Sequence, residues 1–219
     1  MQKYIDIESR GLHLCCVNTD TAYLRESLGD VAAISAGYPL RGSVDELTSG
    51  DVAIVQMRNV DAASGINWSD VQRIALPSKR PPAFLAAGDI IFTTRGTRNF
   101  ALAIDAVEGQ AVCSPHFFVI RVSDANQITP AFLAWQINQR AAQEYFQREA
   151  TGSHILNIRR EVVEKLPVAI PPLATQLAII ELVNTADAER AALTKLIENR
   201  NEQIEAIALG LHRPERLNV

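Results

Sequence analysis

The clearest pattern of apolar and polar positions lies in the last third of the chain. A strand-like run from Leu166 to Ile170 leads into Pro171 and Pro172, and a helical pattern opens at Leu173. Mostly apolar residues then recur at alternating steps of four and three, which is the heptad spacing of a coiled-coil seam. A stripe this narrow on a helix of about 50 Å cannot be buried by a compact domain alone, so the pattern predicts a partner helix. The seam positions are Ile179, Val183, Ala186, Arg190, Leu193, Ile197, Arg200, Ile204, Ile207 and Leu211.

Short-period patterns fill the chain before Leu166. Alternating apolar positions and β-branched residues predict strands, and Gly, Pro and Asn mark the turns between them. Thr129 and Pro130 predict the start of a helix that runs to about Glu149, because the hydroxyl caps the helix and proline suits its first position. The predicted strands are Tyr4 to Ile7, Leu12 to Val17, Asp51 to Val60, Ile90 to Thr94, Phe100 to Val107, Ala111 to Val122 and Ile155 to Ile158, and a short helix spans Arg160 to Leu166. These elements predict a mixed α/β (α+β) head with several short strands, followed by a long C-terminal helix.

The long helix has two interpretations. It is either an arm that pairs with another helix or a C-terminal helix packed against its own head. Arg190 and Arg200 on the seam argue against a dry contact within one chain. They favour an antiparallel pair of helices in which carboxylates of the other chain meet them. Carboxylates near enough in sequence for this role are Glu189, Glu198, Glu202 and Glu205.

Composition limits the classes of protein that fit. With 219 residues, of which 47% are hydrophobic, the chain can bury a real core. Its net charge of −4 gives no overall nucleic-acid footprint. Arginine nevertheless outnumbers lysine 17 to 4, and 13 of the 21 cations lie between residues 41 and 166. Guanidinium groups suit phosphates and guanine edges, although on this feature alone the base composition of the genome is the favoured explanation of an arginine excess.

The sequence does not indicate a disulfide-stabilised protein, a membrane protein, a metalloprotein or a nucleotide-binding enzyme. Cys15, Cys16 and Cys113 form no CxxC motif, which fits a reducing cytoplasm, and no apolar run reaches the ~20 residues of a membrane span. The four histidines are too scattered to suggest a metal site. The glycine-rich motifs of nucleotide and dinucleotide binding are absent, as is the motif of an adenine-methylating pocket. Ser114 and His116 read as ordinary polar positions of a strand rather than a catalytic pair.

A series of local patterns runs from Ala150 to Ile180, which reads ATGSHILNIRREVVEKLPVAIPPLATQLAII. In order it contains a Gly/Ser-rich turn, a short strand, a small helix, a strand ending in Pro-Pro, and a helix opening Leu-x-x-Gln. This order resembles the end of a target recognition domain and the start of the conserved helix in specificity subunits of type I restriction-modification enzymes. The run GDIIFTTRG from Gly88 to Gly96 resembles that family's Gly-Asp-Ile strand, and Leu28 to Gly37 its leading segment. Thr175 departs from the pattern, since glutamate commonly precedes the glutamine.

The resemblance implies a division of labour along the chain. Residues 1–170 are expected to be a DNA-binding target recognition domain, and residues 171–219 the conserved helix for dimerisation and for docking a methyltransferase subunit. The usual subunit has two such domains and two such helices, so this chain resembles a half-subunit. Two copies are then expected to pair antiparallel and to bind a split sequence of double-stranded DNA. The chain itself would be non-catalytic and need no cofactor, while methyltransferase and restriction partners supply the chemistry.

Candidate DNA contacts lie in polar loops beside the predicted strands. There, cations occur together with amide and hydroxyl side chains, the mixture that phosphate and base-edge readout needs. A solvated loop explains any single one of them equally well. The candidates are Arg41, Ser43, Lys79, Arg80, Thr94, Arg95, Thr97, Arg98, Asn99, Ser153, His154, Asn157, Arg159 and Arg160. The candidate dimerisation residues are the seam positions from Val183 to Leu211.

A second interpretation keeps the homodimer and replaces DNA by protein. The negative net charge favours a scaffold or adaptor slightly, and the seam is equally compatible with it. An autonomous enzyme ranks last, since no catalytic motif is present. Salt separates the first two, because a DNA-binding protein that neutralises phosphates loses affinity steeply as salt rises.

Overall fold

The computed structural model describes residues 23–40, 49–62, 64–76, 82–96, 99–150 and 156–211. The strands are β1 (Leu24–Ser27), β2 (Ala32–Ala36), β3 (Ser49–Val55), β4 (Val60–Asp61), β5 (Gly65–Ile66), β6 (Gln72–Ile74), β7 (Asp89–Thr93), β8 (Arg95–Gly96), β9 (Ala101–Ala103), β10 (Ala111–Cys113), β11 (Phe117–Val122), β12 (Leu156–Asn157) and β13 (Pro167–Ile170). The helices are α1 (Leu28–Val31), α2 (Pro130–Asn138), α3 (Arg140–Glu149), α4 (Arg160–Glu164) and α5 (Leu173–Leu211), with 3-10 turns at Met57–Asn59 and Trp68–Asp70. The predicted mixed fold with a long C-terminal helix is confirmed. The strands predicted at Tyr4 to Ile7 and Leu12 to Val17 lie outside the described residues.

A four-stranded antiparallel sheet in the order β2-β11-β7-β9 forms the central layer of the head. Successive side chains of a strand point to opposite faces, so Ile90 and Phe92 pack toward the helices while Ile91 packs toward a second sheet. That second sheet has the order β10-β3-β6, with β3 and β10 parallel. Burial on both faces explains why β7 is a continuous apolar run rather than an alternating one.

The helical face of the central sheet carries the larger core. Leu133 and Ile137 of α2 and Phe146 of α3 are fully buried there. The ring centroids of Phe92 and Phe146 are 5.1 Å apart. This layer holds β7 and the residues that follow it against the helices, and therefore positions the loops beyond the strand.

The Gly-Asp-Ile strand opening has a structural explanation. Gly88 has φ +86°, a conformation that L side chains rarely adopt, and it turns the chain into β7. Asp89 is 1% exposed and accepts two hydrogen bonds of 2.6 Å from Arg121 on the neighbouring strand. The Ala86 amide donates to the same carboxylate at 2.9 Å. A buried carboxylate with this many donors is satisfied, so the acid supports the sheet.

The predicted helix from Thr129 to Glu149 starts as expected but is not continuous. The Thr129 hydroxyl accepts from the Phe132 amide, with Pro130 at the first helical position. The helix breaks at Gln139, whose φ and ψ of −75° and 155° are extended. A side-chain amide replaces one of the missing helical hydrogen bonds there. Gln139 Nε2 donates to the Trp135 carbonyl at 2.9 Å. Asn138 turns its own amide to the edge strand β9, where it bonds both the N–H and the C=O of Ala101.

Three predicted strands are shorter than expected. The strand predicted over Asp51 to Val60 ends at Val55, after which the chain makes a 3-10 turn. The one predicted over Ala111 to Val122 is two strands separated at residues 114–116, since Pro115 cannot donate to a ladder. The strand predicted over Phe100 to Val107 is reduced to β9.

Hydrogen bonds on both sides of the preceding strand fix the point at which the long helix α5 leaves the head. Strand β13, just before it, pairs antiparallel with β1 on one side. On the other side, the amide of Gln136 bonds the N–H and C=O of Ala169 at 2.6 and 2.9 Å, as a neighbouring strand would. Ile179 and Ile180 of the first turns of α5 pack on the helical core. Beyond Val183, every residue of α5 is exposed, so the described part of the head does not cover this part of the helix.

Candidate functional site

A short ribbon joins two distant predicted loops. Strands β8 and β12 pair antiparallel, which places Arg95 directly opposite Asn157 and Gly96 opposite Leu156. The Ile158 amide donates to the Thr94 carbonyl at 3.0 Å and extends the pairing by one residue. Residues that lie far apart in sequence are thereby brought together at one edge of the head.

The turn between β10 and β11 lies next to this ribbon. The amide and the hydroxyl of Thr94 both donate to the His116 carbonyl at 2.9 Å. The Ser114 amide donates to the carbonyl of Val55, the last residue of β3, at 2.9 Å. His116 itself is exposed, so the turn is anchored by its backbone and presents the imidazole outward.

A third turn, Met57–Asn59, completes the same face. Asn59 is 1% exposed, and its Oδ1 accepts from the Gln56 amide at 3.0 Å while its Nδ2 donates to the Asp70 carbonyl at 2.9 Å. A buried amide that is satisfied on both sides fixes the turn. Arg58 is exposed and Met57 is half-buried on this fixed support.

Three adjacent clefts open among these turns, and Met57 lines all of them. The Arg95 cleft, of about 520 Å³, is lined by Met57, Arg95, Gly96, His116 and Asn157. The Arg58 cleft, of about 400 Å³, is lined by Leu40, Gln56, Met57, Arg58, Ser114, Pro115 and His116. The Asn99 cleft, of about 440 Å³, is lined by Met57, Val60, Asp61, Ala62, Gly96, Asn99, Phe100, Asn138 and Gln143. Among the described residues, the first two clefts have no acidic side chain in their walls.

The structure separates the predicted contact residues into four groups, of which Thr94 and Asn99 are the buried one. Arg95 and Asn157 are exposed and share the Arg95 cleft. Arg159 and Arg160 are exposed at the start of α4, outside the three clefts, and Arg160 pairs with Glu164 at 2.7 Å. Arg41, Ser43, Lys79, Arg80, Thr97, Arg98, Ser153 and His154 lie outside the described residues.

Thr94 and Asn99 differ from the expectation of exposed loop residues. Thr94 is 6% exposed and Asn99 is 3% exposed. The Asn99 Nδ2 donates to the Thr93 carbonyl at 2.7 Å. Both side chains therefore have a structural role, because they hold the backbone at the end of β7 from which Arg95 extends.

Part of this face is not indicated by the sequence pattern. The pattern predicts Gln56, Met57 and Arg58 within the strand Asp51 to Val60, and His116 within the strand Ala111 to Val122. Pro115 is the signal that would have separated the two strands and indicated a turn at His116. No comparable signal marks Met57, because the turn depends on the contact between Asn59 and Asp70.

The side chains of this face offer hydrogen-bonding groups. Arg58, Arg95 and His116 supply donors, and Gln56 and Asn157 supply amides. Within the described ranges, no three His, Cys, Asp or Glu side chains lie together as a metal site would require. Burial raises the pKa of the nearby Cys113 thiol to about 12, so this sulfur stays protonated and is not an activated nucleophile.

In the described part of the chain, no helix combines the length and the apolar character that a bilayer crossing requires.

The chain is similar to one protein family and to several solved structures. A family model for the type I restriction modification DNA specificity domain matches residues 26–206. No curated protein matches the chain. Similar solved structures include the HsdS subunit from Thermoanaerobacter tengcongensis, with 19% identity and a TM-score of 0.60 over 91% of this chain and 52% of that one. The type I restriction-modification S subunit from M. genitalium has 15% identity and a TM-score of 0.54, over 85% of this chain and 44% of that one.

A third similar structure is described as the structural basis of complex assembly and conformational transition of the type I R-M system. It has 14% identity and a TM-score of 0.59, over 84% of this chain and 43% of that one. At these identities the solved structures establish the fold alone. The chain spans about half the length of the structures that it matches.

Proposed function

Because this chain belongs to the type I restriction-modification DNA specificity family, we propose that its head binds double-stranded DNA sequence-specifically. The observation that carries the proposal is the face formed by the Arg95 cleft and the Arg58 cleft. Its walls hold two arginines, a histidine and two side-chain amides, with no acid among the described lining residues. Arginine pairs with the O6 and N7 atoms of guanine, and Asn or Gln with the N6 and N7 atoms of adenine, so this set suits base-edge readout.

The proposed role is non-catalytic. Residues 1–170 act as the target recognition domain and residues 171–219 as the helix that docks a methyltransferase subunit. Adenine methylation and any cleavage are carried out by partner subunits that use S-adenosylmethionine, magnesium and ATP. Burial keeps the Cys113 thiol beside this face protonated, so the sulfur is not an activated nucleophile.

Two copies are proposed to pair through α5 in antiparallel orientation. The seam of α5 beyond Val183 is exposed, and Leu193, Ile197, Ile204 and Ile207 are each about 60% exposed in the single chain. Large apolar side chains in a row on one helix face indicate an interaction surface. The uncovered part, residues 184–211, is about 42 Å long at 1.5 Å per residue. This length would fix the spacing between two heads, each reading one half of a bipartite target.

The test is the salt dependence of DNA binding by the full-length chain. A duplex target is first selected from a randomised pool, and the dissociation constant is measured by fluorescence anisotropy at increasing salt. We expect a linear log–log plot with a slope near −0.9 for each phosphate that the protein neutralises. The double variant Arg58→Ala/Arg95→Ala should bind the selected target at least tenfold more weakly, since one good bidentate contact is worth about 1–3 kcal/mol.

A matched control removes the same charge elsewhere. Arg25 and Lys165 are exposed and line none of the three clefts, so Arg25→Ala/Lys165→Ala should keep most of the affinity. An equal loss in both double variants would mean that binding depends on net charge and not on this face. Failure to select any sequence, together with binding that does not depend on salt, would favour a protein-binding scaffold. The net charge of −4 is the observation behind that alternative.

A further inference from the structure

Met57 has a position that the donors around it do not share. It is the one described residue that lines the Arg95 cleft, the Arg58 cleft and the Asn99 cleft at the same time. Part of its side chain packs on the core between the two sheets, whose buried members include Val55 and Cys113. The rest of it faces the clefts, so its apolar side chain lies among the arginines, the histidine and the amides of the face.

The support under Met57 is rigid. Gln56 and Asn59 bond each other across the turn, and Asn59 is anchored to Asp70. The Gln56 side chain also donates to the Gln72 Oε1 atom at 3.0 Å. A turn held from both ends keeps Met57 in place while its own flexible, polarizable side chain adapts to what it contacts.

We propose that Met57 is a specificity-determining residue that contacts the 5-methyl group of a thymine in the target. The inference rests on the proposed function. The thymine methyl is the one apolar group among the major-groove base edges, and it is read by apolar contact. The donors of the surrounding clefts read guanine or adenine, so an apolar residue between Arg58, Arg95 and His116 adds a contact that they cannot make.

Because Met57 is half-buried, it is better placed to contact a methyl group in the groove than to insert between base pairs. A wedge must protrude far enough to unstack two bases. Met57 instead lies between exposed neighbours, Arg58 and His116, and is partly held by the core. Contact with a methyl group at the groove edge needs only the exposed end of the thioether.

The test replaces thymine by uracil, which keeps the base pair and removes only the methyl group. In the duplex selected for the proposed function, each thymine is replaced in turn, and dissociation constants are measured for the wild type and for Met57→Ala. We expect one position at which uracil weakens wild-type binding about fourfold, the size of burying one methyl group. At that position Met57→Ala should bind the thymine and uracil duplexes equally well.

Two further variants keep the test interpretable if Met57→Ala loses stability. Met57→Leu keeps an apolar side chain and should retain the preference for thymine. Val107→Ala removes a half-buried apolar group from the same core outside the three clefts, and it should retain the preference too. The inference is overturned if uracil weakens wild type and Met57→Ala alike at every position, or if the selected target contains no thymine whose methyl matters. Failure to select any target overturns the proposed function as well.

Discussion

At the scale of single residues, Gly37 shows how a close backbone approach dictates one amino acid. Its amide donates to the Phe117 carbonyl at 2.9 Å, and the next amide, Tyr38, donates to the Cys113 carbonyl at 2.7 Å. A Cβ atom at Gly37 would run into the carbonyl of Ser114. The glycine is therefore required by space, and it supports the turn that presents His116.

Gly37→Ala is expected to lower the free energy of unfolding by about 1–3 kcal/mol, the usual range for forced overpacking. The added methyl group must displace the backbone at Ser114, which cannot move as a flexible side chain would. Urea unfolding followed by circular dichroism measures the change. Gly210→Ala is the matched control, because a Cβ there meets no atom within 4 Å and alanine favours the helix, so it should not destabilise.

Cys113 yields a prediction about reactivity. Burial is the main cause that raises the pKa of its thiol to about 12, and the thiolate is the form that reacts with alkylating agents. In a Cys15→Ser/Cys16→Ser background, we expect iodoacetamide at pH 8 to leave Cys113 unmodified in the native protein and to modify it after denaturation. Mass spectrometry reads the outcome. Rapid native labelling would contradict the burial of this side chain.

The same group predicts how stability depends on pH. The unfolded thiol ionises near its ordinary value of 9.0, while the folded thiol stays protonated until about 12. The unfolded state therefore binds fewer protons between these values, and stability falls with rising pH by up to about 1.4 kcal/mol per pH unit. Below pH 9 the contribution is fully present. The same background carrying Cys113→Ala should lack this part of the slope in urea unfolding at several pH values.

At the scale of elements, side-chain amides join parts of the chain that are distant in sequence. Gln136 binds the free edge of β13, and Asn138 binds the free edge of β9. Gln176 is fully buried in the first turns of α5. Its Oε1 accepts from the Thr129 amide at 2.9 Å, and its Nε2 donates to the carbonyls of Gln127 and Pro171 at 2.8 Å. These bonds set the direction in which α5 leaves the head, which explains the glutamine of the Leu-x-x-Gln opening.

Gln176→Ala is expected to cost about 2–4 kcal/mol of unfolding free energy. It leaves a buried amide and two carbonyls without their partner, at about 1–3 kcal/mol for each unpaired group, and solvent entry can reduce the sum. Gln203→Ala on the same helix serves as the control, since Gln203 is exposed and its side chain bonds the neighbouring side chains of Arg200 and Asn199. Equal midpoints in urea for the two variants would show that Gln176 does not tie α5 to the head.

At the scale of the whole molecule, the head and the part of α5 beyond Val183 differ in how their apolar residues are covered. The head buries its apolar residues in three groups, whereas the seam of α5 beyond Val183 has no cover within the described chain. In the single chain the seam arginines use local partners, Arg190 with Asp187 at 2.7 Å and Arg200 with Gln203 at 2.9 Å. Exchange of these local partners for carboxylates of a second copy remains a prediction of the antiparallel pair.

Light scattering tests the pairing of two arms. The full-length chain should have twice the mass of the 24.0 kDa monomer. A chain ending at Thr185 should be monomeric, and it keeps Gln176, Ile179 and Ile180 in contact with the head. Truncation at Pro171 would remove these contacts and confuse dimerisation with stability.

Point variants separate the seam from the rest of the helix. Ile197→Glu places a charge on the seam and should give monomers, because a carboxylate cannot be buried in an apolar interface without a partner. Ala206→Glu adds the same charge on another face of α5 and should leave the dimer intact. A full-length monomer at all concentrations, or dimers of both point variants, would rule out pairing through this seam.

Local signals in the sequence determined several parts of the fold. Pro171, Pro172 and the helical period locate the start of α5, and Thr129 with Pro130 locates the start of α2. The run of apolar residues after Gly88 locates β7. These signals are reliable because caps, prolines and side-chain periods act within a few residues, where no distant contact is needed to interpret them.

Tertiary structure alone decided how these elements meet at the candidate site. The pairing of Arg95 with Asn157, the turn that carries Met57, and the attachment of Asn138 to β9 all depend on hydrogen bonds between residues that are not neighbours in the chain. It also decided that Asn99 is buried while Arg95 is exposed, although both follow the same strand. A polar side chain is read as a loop residue from sequence, but only the packed neighbours determine whether it faces the solvent or satisfies the backbone beneath the site.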